Sequence, residues 1–377
     1  MEIQLFLDLL PEDFYKNSGI PIKVFSTNLT IDSLKNSIAI VGINEDRNSN
    51  HIGIKAGADK IREALKQLYL KTEETVIDFG NIKVGTSLKD SYKAIEIIST
   101  FFFEKAILPI YIGGAADCLY PIISSFQEKE EITLSVVNSE LLVGNKQEFS
   151  ARNYLNFIKN KFQLNKISHL ASQKYLCPEE DFDFFYEHSF PINRLGNLRN
   201  NIFEVEPYIR EANIVCLHGS AIRACDFPAN AYAQPNGLTG EEACQVARYC
   251  GISQHVKSFI ITDYNTLLDT NNRTSKLIAQ IVWHFIEGIA YRENDYLTSE
   301  NKNLFVKYVV ESLQNESFFN FYQHPKTKRW WLEIPCNNRD KVYYVACSQN
   351  DYLTACDKGI PDIWNLERER INKITPK

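Results

Sequence analysis

The feature that most constrains this chain is a succession of short apolar runs, each followed by a segment with a different periodicity. SIAIVGI (37–43), TVIDFG (75–80), ILPIYIGG (107–114), ITLSVV (132–137), ANIVCLHG (212–219) and KSFIITD (257–263) are rich in β-branched residues. Each is too short for a helix and too apolar for an exposed edge, so each predicts a strand buried on both faces. Between them, residues 58–70 place Ile61, Ala64, Leu65 and Leu68 at helical spacing, and residues 91–106 read as a second helix. Strands alternating with helices predict a mainly parallel sheet covered on both sides, a three-layer α/β/α sandwich.

Two further helices are well signalled. Thr239-Gly240-Glu241-Glu242 is a capping box that opens a helix closing at Gly251. Residues 275–291 carry one wide apolar stripe, including Leu277, Ile281, Phe285 and Ile289. After Ser299 the composition changes. Residues 320–335 and 341–347 predict an aromatic-rich β-hairpin, and residues 361–373 a terminal helix with ERERINK (367–373) on its outer face. The expected organisation is an α/β domain over 1–299 and a C-terminal extension over 300–377 packed on it. EKEE (128–131) reads as a solvated loop, and residues 144–210 are the least patterned part of the chain.

Composition narrows the function classes. With 44% hydrophobic and 23% charged residues the chain can bury a large core. A net charge of −6 argues against a nucleic-acid partner. The N-terminus lacks a basic n-region, and no apolar run is long enough to span a bilayer, so no membrane partner and a cytoplasmic location are expected. Nine cysteines without a C-x-x-C pair read as free thiols, and seven histidines without H-x-x-x-H spacing exclude a zinc helix.

In a wound parallel sheet, function gathers beyond the C-terminal ends of the strands. Those ends fall at 113–117, 138–142, 218–220 and 263–265, and they offer Asp117, Asn138, Glu140, His218, Ser220 and Asp263. No Gly-rich phosphate loop and no nucleophile elbow is present. The turn in YIGGAADCLYP (111–121) is the most puzzling of the four. Gly113 and Gly114 build a platform that brings backbone close to a ligand, yet Ala115 and Ala116 stand on it.

GIKAGADKIREAL (53–65), IGGAAD (112–117) and PNGLTGEEACQVAR (235–248), in this order and on these elements, resemble the ureohydrolase superfamily of arginase, agmatinase and especially formimidoylglutamase. The resemblance covers residues 35–295. It implies an arginase-like sandwich, self-association into a homo-oligomer, and hydrolysis of amidine C–N bonds by a hydroxide bridging two Mn²⁺ ions. Carried over residue by residue, the family's six ligand positions fall on Ala116, Asn138, Glu140, Leu142, His218 and Ser220, none of which keeps the expected side chain. The acid that holds the substrate's amidine falls on Asp263. Two Mn²⁺ ions need hard, largely anionic oxygen ligands, so this set predicts no metal site and no cofactor. The leading expectation is a pseudoenzyme with a vestigial pocket, formed by these seven positions with Gly113, Gly114 and Asp117, and a Glu140–His218 ion pair in the space the metals left. The alternative is an altered amidine hydrolase, with Glu140, His218 and Asp263 as catalytic candidates or as ligands of a single metal. Arg329, Trp330 and Trp331 in the extension suggest a surface for a protein partner; the alternative is that the two indoles lie on opposite faces of a strand, one packing into the core and one covering a helix.

Overall fold

The computed structural model describes residues 3–26, 29, 34–49, 53, 57–126, 131–144, 147–311, 318–336, 342–357 and 359–374. Its largest element is a ten-stranded sheet. In chain order the strands are β1 (Leu7–Asp8), β2 (Ile22–Val24), β3 (Ile38–Ile43), β4 (Val76–Ile82), β5 (Leu108–Gly113), β6 (Ile132–Val137), β7 (Leu164–Ser172), β8 (Ile192–Arg194), β9 (Ile214–His218) and β10 (Ser258–Thr262). Laterally they run β1-β4-β3-β5-β10-β9-β6-β7-β8, with β2 also on β4. Among the described residues of this sheet, only the β1–β4 pairing is antiparallel. Every residue of β3, β4, β6, β9 and β10 is buried, as their continuous apolar runs require.

Helices cover both faces. On one side α2 (Leu88–Glu104), α3 (Leu119–Ser124), α4 (Tyr154–Lys161) and α5 (Glu179–Glu187) share a core with the sheet. On the other lie α1 (Gly57–Leu65), α6 (Leu195–Asn200), α7 (Glu206–Arg210), α8 (Gly240–Ile252) and α9 (Arg273–Ile289). The α8 capping box forms as read: Thr239 accepts from the Glu242 amide and Glu242 from the Thr239 amide. Arg62 anchors α1 to β4. Fully buried, it donates to Asp78 at 2.8 and 3.0 Å and to the Gly80 carbonyl at 2.7 Å.

The extension is larger than a hairpin. Four antiparallel strands, β11 (Val306–Glu311), β12 (Phe318–Gln323), β13 (Trp330–Pro335) and β14 (Val342–Cys347), form a second sheet in that order, followed by α10 (Gln349–Cys356) and α11 (Asp362–Ile374). It has its own core around Phe319, Phe321, Trp330, Leu332 and Trp364. The expectation of an exposed partner surface at Arg329, Trp330 and Trp331 needs correction. The two indoles lie on opposite faces of β13 and both are buried, Trp331 completely. Arg329 pairs with Glu206 and Asp295, each at 2.9 Å.

Two other readings change. Among its described residues the weakly patterned 144–210 segment holds two strands, four α-helices and two 3-10 helices. Its β7 escapes an apolar search because Lys166, Ser168, His169 and Ser172 interrupt it, and all four are buried polar residues. Within ERERINK, Glu367 and Arg370 are not solvated. Lys166 donates to Glu367 at 2.9 Å and also pairs with Glu211, while Arg370 donates to Glu367 at 2.8 Å. Of EKEE, residues 128–130 lie outside the described residues, as do residues 54–56 of the 53–65 segment.

This cluster makes Lys166→Met a direct test of how the extension is held. Removing the cation takes from Glu211 its ion-pair partner and leaves Glu367 to Arg370 alone, a loss of about 3 kcal/mol in urea unfolding at neutral pH.

Candidate functional site

The sheet order brings the four inspected strand ends side by side, because β5, β10, β9 and β6 are consecutive neighbours. Thr262 lies beside His218, Ile261 beside Ile112, and Val137 beside Leu217. The turn after β5 uses its glycines for steric reasons. Gly113 and Gly114 have φ of 88° and 76°. A Cβ on Gly113 would stand 2.7 Å from the Ile43 carbonyl oxygen. The Gly114 carbonyl accepts from the Asp263 amide at 3.0 Å, tying β5 to the end of β10. Asp263 and Leu142 themselves hold positive φ, 67° and 51°, a strained conformation for both residue types.

Beyond these ends lies a cavity of about 30 Å³. Ala116, Asn138, Glu140, Leu142, Ser220 and Asp263 line it, so most of the positions singled out in the sequence do converge. Gly113, Gly114, Asp117 and His218 do not line it, although His218 contacts the lining Asp263. Sequence reasoning missed Ser49, Arg152, Asn230 and Tyr232, which reach the cavity from loops with no apolar signal.

The expected Glu140–His218 pair does not form. Glu140 instead makes a two-pronged ion pair with Arg152, whose guanidinium carbon sits 5.2 Å from the centre of the Tyr232 ring. The Glu140 backbone carbonyl accepts from His169 Nε2 at 2.9 Å. Burial pushes the His169 imidazole down to about 3, so it is neutral. Asn138 Oδ1 accepts from Ser220 at 2.6 Å and from the Glu140 amide at 3.3 Å.

His218 is fully buried and bonded at both nitrogens. Nδ1 faces Asp263 at 3.0 Å and the Thr262 hydroxyl at 2.8 Å; Nε2 faces the Tyr154 hydroxyl at 3.0 Å and Cys216 Sγ at 3.4 Å. Burial opposes its charge, but Cys216 and Asp263 outweigh that and raise it to about 10. The Asp117 carboxyl is raised to about 6, chiefly by burial, with the Tyr92 hydroxyl donating to it in opposition.

These donors do not fit a bridged manganese pair. Ala116 and Leu142 have no ligating atom, Glu140 is committed to Arg152, and both His218 nitrogens are engaged. Among the described residues no group of three or more His, Cys, Asp or Glu side chains is placed to hold a metal ion.

Both raised groups lower stability as pH rises. Folded Asp117 holds its proton more tightly than the unfolded chain, so stability falls from about pH 4 to about pH 6 and stays lower above. The contribution of His218 is complete below its ordinary value of 6.5 and is lost as pH climbs to about 10. Asp117→Asn keeps an oxygen for Tyr92. It is expected to be more stable than wild type by on the order of 2 kcal/mol at mildly alkaline pH and to match it in acid, by urea titration at the two pH values.

Comparison with known proteins agrees with this fold. The sequence model of the Arginase family matches residues 36–139. Formimidoylglutamase of Staphylococcus aureus (strain MSSA476) is 22% identical over 279 residues, covering 69% of this chain and 89% of its own. Trypanosoma cruzi formiminoglutamase with Mn²⁺ superposes with a TM-score of 0.64 at 18% identity, covering 70% of this chain and 99% of that one. A single-residue variant of the same trypanosomal protein, also with Mn²⁺, gives a TM-score of 0.66 at 18% identity over 71% and 97% of the two chains. Bacillus subtilis formimidoylglutamase gives 0.64 at 16% identity over 72% and 91%. The expectation of no cofactor is corrected by the two trypanosomal structures, which carry Mn²⁺ on this fold. In fold the chain is arginase-like, and in sequence it is similar to the ureohydrolase superfamily, with formimidoylglutamases among its relatives.

Proposed function

We propose that this chain uses the ureohydrolase fold for binding or assembly and does not run the two-metal hydrolysis of linear amidines. One observation carries the reading: the Glu140–Arg152 pair, roofed by Tyr232, fills the position where a substrate would meet the strand ends. The remaining 30 Å³ is room for one or two waters. Small-molecule sites are usually on the order of 300–1,000 Å³. The chemistry of the wall supports the same conclusion. Its charges occur as two pairs, Glu140 with Arg152 and Asp263 with His218, so the groups neutralise one another. His218 presents no free nitrogen to a substrate, and an imidazole bonded on both sides orients its neighbours instead of accepting a substrate proton.

The second reading keeps the relatives' reaction class, hydrolysis of a C–N bond in a linear amidine. It is favoured by Asp263, which lines the cavity at the position that the resemblance gives to the amidine-holding acid. Nine cysteines without a C-x-x-C pair suit a reducing compartment such as the cytoplasm. No helix among the described residues is long and apolar enough to cross a membrane.

The test is turnover of formimidoylglutamate, agmatine and arginine with the protein pre-incubated in excess Mn²⁺, scored by formamide, ammonia and urea. No product above the protein-free blank is expected. Product that scales with protein and disappears in Asp263→Asn would establish the second reading. Arg152→Ala opens the cavity and separates structure from chemistry. Arg152 is 45% exposed, so stability should change by less than about 1 kcal/mol, and no turnover should appear.

A further inference from the structure

The second sheet has two unlike edges. At one, β14 is held by the α/β domain: the Ala346 amide donates to Glu211 at 2.6 Å, and the Cys347 carbonyl accepts from Arg210 at 3.2 Å. At the other, among the described residues, β11 is paired on one side only, by β12. Its sequence is VKYVVE, six residues without Pro, Gly or bulge. Tyr308 and Val310 turn toward the extension's core, with the Tyr308 ring 5.1 Å from that of Trp330. Lys307, Val309 and Glu311 turn outward; all three are exposed, Val309 at 58%. An open strand edge with apolar side chains is a template for another strand.

We propose that this edge seats a second copy of the chain, two β11 strands pairing antiparallel about a two-fold axis through Val309. The occupant is argued from charge complementarity. A continuous sheet keeps the helix-covered face of both copies on one side, so each residue must oppose one of its own parity. Only registers centred on a residue satisfy this. Centred on Tyr308, Lys307 faces Val309 of the partner subunit and neither charge is answered. Centred on Val310, Glu311 faces Val309 of the partner subunit. Centred on Val309, Lys307 faces Glu311 of the partner subunit, Glu311 faces Lys307 of the partner subunit, and the two Val309 side chains meet between them. Opposite charges and β-branched pairs directly across a ladder are the favourable combinations, and this register alone supplies both. The arrangement is isologous and closed, giving a dimer with one eight-stranded sheet and no open-ended growth. A six-residue seam is small beside a standard interface, so the association is concentration-dependent. It is independent of how the strand-end cavity is read.

The experiment is sedimentation velocity of the full chain across a roughly hundred-fold dilution series, with thermal melts as a folding control. Wild type is expected to shift from monomer to dimer as concentration rises. Lys307→Glu and Glu311→Lys each place like charges in opposition and should leave monomer throughout, with unchanged melts because both side chains are exposed. The double exchange Lys307→Glu with Glu311→Lys restores both pairs and should recover the dimer. A wild type that stays monomeric, a dimer that survives either single reversal, or a double exchange that fails to recover it overturns the proposal.

Discussion

One buried imidazole holds the strand ends together. His218 closes β9, takes Thr262 and Asp263 from the end of β10 on one nitrogen, and meets Tyr154 of α4 on the other. A polar group at this depth is tolerable only if each of its hydrogen-bonding atoms is answered. The network is therefore all-or-none: removing any one member strands its neighbours inside the protein. Its charge balance follows the same logic. Here Asp263 is offset by His218 and Glu140 by Arg152, all four groups belonging to the protein.

The Gly-Gly turn shows how fold and chemistry separate. Gly113 is fixed by the carbonyl of Ile43 on the neighbouring strand, a contact within the sheet that no ligand enters. The requirement for glycine persists whatever residue follows two or three positions later. A platform built for backbone reasons can thus carry Ala116 without loss to the sandwich. This is why kinship in fold leaves reaction chemistry to be argued from the site.

What could be read from the sequence follows the same division. A strand covered on both faces must be apolar throughout, so β3, β5, β6, β9 and β10 announced themselves, and with them the four ends that meet at the cavity. β7 did not, because Lys166 and His169 are buried through partners supplied by distant segments, Glu211 and Glu367 for the one and the Glu140 carbonyl for the other. The same blindness explains the error at Glu140. Its position beside the site was legible. Its partner, Arg152, comes from a loop whose path is set by the packing of α4 and Phe149. Likewise the placement of the two indoles of RWW on opposite faces of a strand was legible, whereas the burial of both depends on cover supplied by distant segments.

The joint between the two sheets is made of buried charges, and this decides which way the extension faces. Lys166 and Arg370 lie among Glu211 and Glu367, while the Arg210 guanidinium donates to the Trp330 and Cys347 carbonyls and rests 4.6 Å from the Trp331 ring. Such clusters add little net stability over an apolar contact, because each ion must first be stripped of water. They penalise misplacement instead, since sliding the extension by one residue would leave a charge unanswered in the interior. An apolar seam of the same area would tolerate that slip. With the β14 edge fixed in this way, β11 has only one orientation available, outward, and its alternating charges face solvent in a fixed register.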